Sequence, residues 1–131
     1  MTKSTSLSAW WIGNGSLLRE CVRLWHDAGH QSLGIVTDEF ALQSFAAELD
    51  LPCLSPSSAW VEQAQSPRPD YLFSVVYLEM LKQDALALPT EAAVNFHDGP
   101  LPHYAGLNVT TWAILNAESS HAVTWHAMEA K

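Results

Sequence analysis

The segment from Ala9 to Ala28 constrains the fold more than any other part of the chain. Ala9-Trp10-Trp11-Ile12 is a short run with no polar residue, and it stops at Gly13-Asn14-Gly15-Ser16. A run that is apolar at every position, and not at every second one, reads as a strand covered on both faces. From Leu17 to Ala28 the residues Leu18, Cys21, Val22 and Trp25 then recur at helical spacing, with Ser16 placed as N-cap and Gly29 just past the end. A buried strand that feeds directly into a helix leaves no room for a hairpin, so the next strand must run parallel to the first.

The pattern then repeats. Ser32–Val36 reads as a second strand, Glu39–Glu48 as a helix and Leu51–Leu54 as a short third strand. Ser55 to Pro69 holds three prolines and several serines and reads as a loop with one helical turn near Trp60–Gln65. Tyr71–Tyr77 follows as a fourth strand, Leu78–Leu88 as a helix ended by Pro89, and Ala92–Phe96 as a fifth strand aimed into the loop His97–Leu107. Thr110–Asn116 reads as a helix that turns Trp112, Ile114 and Leu115 into the core, and Val123–Met128 as a sixth strand. The expected fold is α/β, an open and mostly parallel sheet with flanking helices.

Composition narrows the function classes. The formal charge is −8, and the six Lys/Arg are scattered, so no basic stripe exists to neutralise phosphates and no nucleic-acid partner is expected. Charged residues make up only 15% of the chain while six tryptophans are present, so apolar surface should remain for a neighbouring domain to cover. Cys21 and Cys53 lie in apolar runs without a paired spacing and read as reduced core thiols. The start, Met1–Ser8, has no signal-like apolar region, and no stretch approaches the roughly 20 apolar residues of a membrane span. A cytoplasmic protein without a membrane association is expected.

Asn95 and His97 stand two apart on the fifth strand and therefore share a face. At the carboxyl end of a parallel strand they lie where open α/β sheets bind ligands. A neutral donor beside a titratable ring suits a reaction centre, although an amide next to a strand-end histidine is also a common structural pair. Asp98, next in sequence, points to the opposite face unless the backbone turns.

The neighbours of that pair carry a resemblance. His97-Asp98-Gly99-Pro100-Leu101-Pro102-His103-Tyr104-Ala105-Gly106-Leu107 is followed by a helix closing in Asn116-Ala117-Glu118, then by Val123-Thr124-Trp125-His126. This resembles the formyltransferase family, whose pattern is Asn-x-His, a loop ending Leu-Pro-x-Tyr-x-Gly, a helix closing in Asn-Gly-Glu, and a strand with Gly-Val-Thr-x-His. The match is ungapped from Asn95 to His126. Trp11–Leu18 and Asp70–Ser74 are similar to the first and fourth strands of the family's amino-terminal domain, so the resemblance spans nearly the whole chain. The wording from Phe96 to Pro102 is most similar to formyltransferase-like domains at the front of nonribosomal peptide synthetases.

The resemblance implies a Rossmann-like domain over residues 1–131 that uses 10-formyltetrahydrofolate as formyl donor. Transfer to an amine drives negative charge onto the formyl oxygen of a tetrahedral intermediate, and by resemblance Asn95 and His97 donate N–H groups to it, each such donor contributing about 10²–10³ in rate. A family aspartate keeps the imidazole charged and helps move the amine's proton. By the ungapped match it falls just beyond Lys131, so the carboxyl-terminal part of the domain is expected to be missing, or the domain to be inactive. Gly13, Asn14, Gly15, Pro100, Leu101, Pro102, Tyr104 and Gly106 are implied beside the substrate. Val75 and His126 are implied beside the cofactor; for His126 and Tyr104 plain packing stays open. The implied acceptor is a small-molecule or carrier-protein-bound amine, with further synthetase domains on the same polypeptide.

Departures from the pattern favour the rival, a non-catalytic docking or structural module: Asp98-Gly99 replaces Pro-Ser, and Ala117 and Ala122 replace glycines. Gly13-Asn14-Gly15 lacks the third glycine of a dinucleotide fingerprint and reads as a tight turn. His97, His103, His121 and His126 show no metal-ligand spacing, so no metal is expected. His26 and His30 read as surface residues near a helix end.

Overall fold

The structure, a computed structural model, describes residues 5–130. Met1–Ser4, the first half of the polar start, and Lys131, the point past which the family aspartate is expected, lie outside the described residues. The elements in chain order are β1 (Ser8–Gly13), α1 (Gly15–Asp27), β2 (Gln31–Val36), α2 (Phe40–Glu48), β3 (Cys53–Leu54), α3 (Trp60–Gln63), β4 (Tyr71–Val75), α4 (Gln83–Leu86), β5 (Ala92–His97), α5 (Val109–Leu115) and β6 (Thr124–Ala127). The strands form one sheet in the order β3-β2-β1-β4-β5-β6. β1 to β5 pair in parallel, and β6 runs antiparallel against β5. This is the open, mostly parallel sheet with flanking helices that the strand-helix alternation predicts.

β1 is central and buried on both faces, which its uninterrupted apolar run requires. Trp10 packs with Ile12, Leu72 and Ala93 on one face, and Trp11 with Leu18, Val22 and Phe45 on the other. The Trp10 ring lies over Gly34 of β2, where an added Cβ would come within 2.2 Å of it, so the strand beside Trp10 must carry a glycine there. Trp11 stacks on Phe73 at 4.8 Å and gives its indole N–H to Ser32 at 3.0 Å, which satisfies a polar atom inside the core.

Several elements differ from the sequence reading. α1 is capped by Asn14, not Ser16, and Asn14 makes no side-chain cap bond because that side chain is engaged elsewhere. β4 stops at Val75, since Val76 takes φ +56°, a turn no pleated strand can continue through. The helix expected over 78–88 shrinks to Gln83–Leu86, because the preceding segment crosses the sheet's carboxyl edge as a loop with Leu78 and Met80 in solvent. On α5 only Val109 and Ala113 are buried. Trp112, Ile114 and Leu115, expected in the core, are 55%, 74% and 68% exposed, since the inner stripe follows the four-residue step from 109 to 113 and no described element crosses the outer side. Cys21 and Cys53 are half-buried at the rim of the core. His26 and His30 are also half-buried; His30 Nδ1 accepts the Leu7 N–H at 3.1 Å and its ring lies 4.5 Å from Trp25. No helix among the described residues is long and apolar enough to cross a membrane.

Candidate active site

The carboxyl edges of β4 and β5 and the end of β6 border a cavity of about 510 Å³, within the range of small-molecule sites. Its polar groups are Ser74 of β4, Asn95 of β5, His126 of β6, and the carboxylates Glu79 and Glu129. Tyr77, Met80, Leu81, Leu86 and Met128 supply apolar walls. The β4–α4 loop that replaced the expected helix therefore forms one side of the site. Burial, and then the charge and hydrogen bond of Glu79, push the Tyr77 phenol above its ordinary range, so it stays a neutral hydroxyl.

Antiparallel register sets Asn95 opposite His126 and His97 opposite Thr124. Asn95 Nδ2 lies 3.2 Å from His126 Nε2, and His126 Nδ1 lies 3.3 Å from the Ala127 carbonyl oxygen. A carbonyl only accepts, so Nδ1 carries the proton of the neutral ring and Nε2 accepts from the Asn95 amide. This orients the amide and leaves its second Nδ2–H for a ligand. His126 is among the residues that line the cavity.

His97 shares the Asn95 face but stands outside the cavity wall. Its Nε2–H donates to the Tyr104 carbonyl at 2.5 Å, so the loop after β5 folds back onto the ring. That loop is braced at several points. Tyr104 N–H donates to Pro100 O at 2.8 Å, the Tyr104 hydroxyl to Glu118 at 2.8 Å, and Thr124 Oγ1 to Gly99 O at 2.8 Å. Thr124 Oγ1 also accepts the Leu101 N–H at 3.2 Å, and Gly106 turns the chain at φ +98°. The Tyr104 hydroxyl thus ties the loop to the end of α5, and Pro100, Leu101 and Pro102 are not among the residues that line the cavity. Asp98 accepts from Thr110 Oγ1 at 3.3 Å and has its carboxylate committed there.

The turn Gly13-Asn14-Gly15 also lies outside the cavity wall and braces the strand end that forms it. At Gly13, φ +149°, an added Cβ would sit 1.7 Å from the Val75 carbonyl oxygen, so only glycine lets β1 pass β4 there. Asn14 N–H donates to Val75 O at 3.2 Å and its Nδ2 to Val76 O at 3.3 Å. The Val75 side chain is fully buried in the core on the α1 side of the sheet; what it presents to this turn is its carbonyl. The carboxylates Glu79 and Glu129 and the phenol of Tyr77 carried no signal in the sequence beyond following a strand end. Among the described residues no cluster of three or more His, Cys, Asp or Glu could hold a metal ion.

Residues 31–131 match the profile of the family described as Formyl transferase, well over half of the chain. The chain belongs to the formyl transferase family. Its fold is similar to glycinamide ribonucleotide transformylase 1 from Symbiobacterium toebii, with TM-score 0.81 and 17% identity over 98% of this chain and 69% of that one. The same protein from Geobacillus kaustophilus gives TM-score 0.80 and 17% identity over 97% of this chain and 77% of that one. A formyltetrahydrofolate deformylase from Pseudomonas syringae pv. tomato str. DC3000 gives 0.81 and 16% identity over 96% of this chain and 47% of that one. At these identities the likeness speaks for the fold. The cavity combines apolar walls with the Glu79 and Glu129 carboxylates, the Ser74 hydroxyl and the Asn95 amide.

Proposed function

We propose that this domain transfers a formyl group from 10-formyltetrahydrofolate to the primary amine of an amino acid or of an aminoacyl group on a carrier protein, in a cytoplasmic peptide synthetase. The observation that carries the reading is the oriented Asn95 amide at the cavity wall, with His97 on the same strand face. Bound formyltetrahydrofolate would supply an activated one-carbon unit. The amine forms a bond to the formyl carbon, the bond from that carbon to N10 breaks, and the amine's proton ends on N10. Asn95 holds the oxygen that gains charge through its free Nδ2–H, and His97 joins it once its Nε2–H leaves the Tyr104 carbonyl. The net charge of −8 favours a carrier-bound or free amino acid over an aminoacyl-tRNA as acceptor.

A second reading, a non-catalytic docking or structural module, has two observations in its favour. His97 is tied to the loop, and Ala117 sits at φ +53° where the family pattern has glycine. Calorimetry with a formyltetrahydrofolate and formylation assays on the gene's full translation product separate the two. Binding with turnover, and a loss of about 10²–10³ in kcat for Asn95→Ala or His97→Ala with folding intact, supports transfer. A product that binds no folate supports the module.

A further inference from the structure

In parallel α/β folds the helix after the first strand points its unpaired N–H groups out at the carboxyl edge of the sheet, and phosphate-bearing ligands bind there. α1 has the length for such a site, and Gly15 opens it with no neighbour where a Cβ would stand. Yet the place is taken. Glu39 Oε2 accepts the Gly15 N–H at 2.8 Å. The carboxylate is held from behind: Glu39 N–H donates to Thr37 Oγ1 at 3.1 Å, and the hydroxyl of this buried threonine donates to Asn14 Oδ1 at 3.2 Å. β1, β2, α1 and α2 thus meet in one closed ring of hydrogen bonds.

We propose that Glu39 is a specificity determinant: its carboxylate fills the anion position at the start of α1, so the acceptor amine is one that brings no phosphate to this turn. The inference rests on the transferase reading and narrows its substrate class to unphosphorylated amines, or to carrier-bound ones whose phosphate lies out of reach of α1. The cations agree with it. Arg19 and Arg23 lie over the Phe45 ring at 5.4 and 5.8 Å and Arg68 donates to the Leu88 and Ala87 carbonyls, so these three guanidiniums have partners other than the α1 turn. Neutral or cationic head groups meet no such obstacle.

The test is a titration of the ¹⁵N-labelled chain with inorganic phosphate at fixed ionic strength, following the Gly15 and Ser16 amide resonances. The native chain is expected to show no saturable shift there through the millimolar range. Glu39→Ala frees the N–H groups and is expected to gain a saturable shift, with affinity at least about tenfold tighter than the native chain. Glu39→Gln keeps a neutral acceptor for Gly15 and guards against a folding defect in the alanine variant; it is expected to bind phosphate more tightly than the native chain. A native Gly15 that binds phosphate, or folded variants that gain nothing, would overturn the proposal. Phosphate at Gly15 is read independently of folate binding and of turnover, so failure here and failure of the transferase reading are distinguishable.

Discussion

The hydrogen bonds of Asn14 hold the carboxyl edges of β1, β2 and β4 together, and Asn14→Ala measures how much. Its Oδ1 accepts from Thr37 at 3.2 Å and its Nδ2 donates to the Val76 carbonyl at 3.3 Å, both slightly longer than the usual range, so each contributes at most about 0.5–1 kcal/mol. Removing the amide also leaves the hydroxyl proton of the buried Thr37 without an acceptor, which costs about 1–3 kcal/mol. Val76 relaxing from φ +56°, a strained setting for a β-branched residue, returns about 1 kcal/mol. The sum is a loss of about 1–4 kcal/mol, read as a lower urea midpoint at unchanged slope. Thr37→Val removes the stranded hydroxyl, so in a double-mutant cycle the pair should couple by about 1 kcal/mol or more. Additivity within about 0.5 kcal/mol would mean that the Asn14–Thr37 bond stabilises nothing, and the account of the turn as a brace would fail.

Ala117 sits at φ +53°, where an L side chain costs about 1–2 kcal/mol, while glycine costs about 0.4–1 kcal/mol through the unfolded chain. Ala117→Gly should therefore stabilise by about 0.5 kcal/mol and raise Tm by about 2 °C in a thermal melt; a fall would refute the strain. Burial, and then the carboxylates of Glu20 and Asp38 respectively, push the Cys21 and Cys53 thiols above their ordinary range. Alkylation near pH 7.5 should therefore be slower in the folded chain than in urea. Because both folded values are raised, the protonated thiols favour the folded state fully below the unfolded thiol pKa, and that stability is lost as pH rises through the folded one; equal alkylation rates in both states would contradict the shift.

The legible parts of the sequence were those where one local pattern admits one structure. An apolar run between a polar start and Gly13-Asn14-Gly15 reads as a buried strand, and the two-residue step from Asn95 to His97 fixes a shared face. Where several patterns overlap, the reading failed. Leu78 and Leu81 satisfy a helical spacing, yet Leu78 and Met80 are exposed on a loop, and only the Val76 turn decides. Trp112, Ile114 and Leu115 look like core because they are large and apolar, yet the small residues Val109 and Ala113 are the ones that α5 buries. Glu79 and Glu129 reach the cavity through the path of a loop and the end of an edge strand, which no spacing encodes.

The pairing of Asn95 with His126, 31 residues apart in sequence, depends on the register of β6, and that register is set on the other side of the sheet. Strand residues alternate faces, so a slip of one position would bring Trp125 to the cavity and bury His126 against the aromatic face. Trp125 packs edge-on at 5.2 Å from Phe96 and 6.3 Å from Phe73, and Phe73 in turn stacks on Trp11. An imidazole in that stack would lose a hydrogen-bond partner, and an indole in the cavity would displace the acceptor that orients the amide. The tryptophan that leaves the back of the sheet half-exposed is therefore the residue that delivers the histidine to its front.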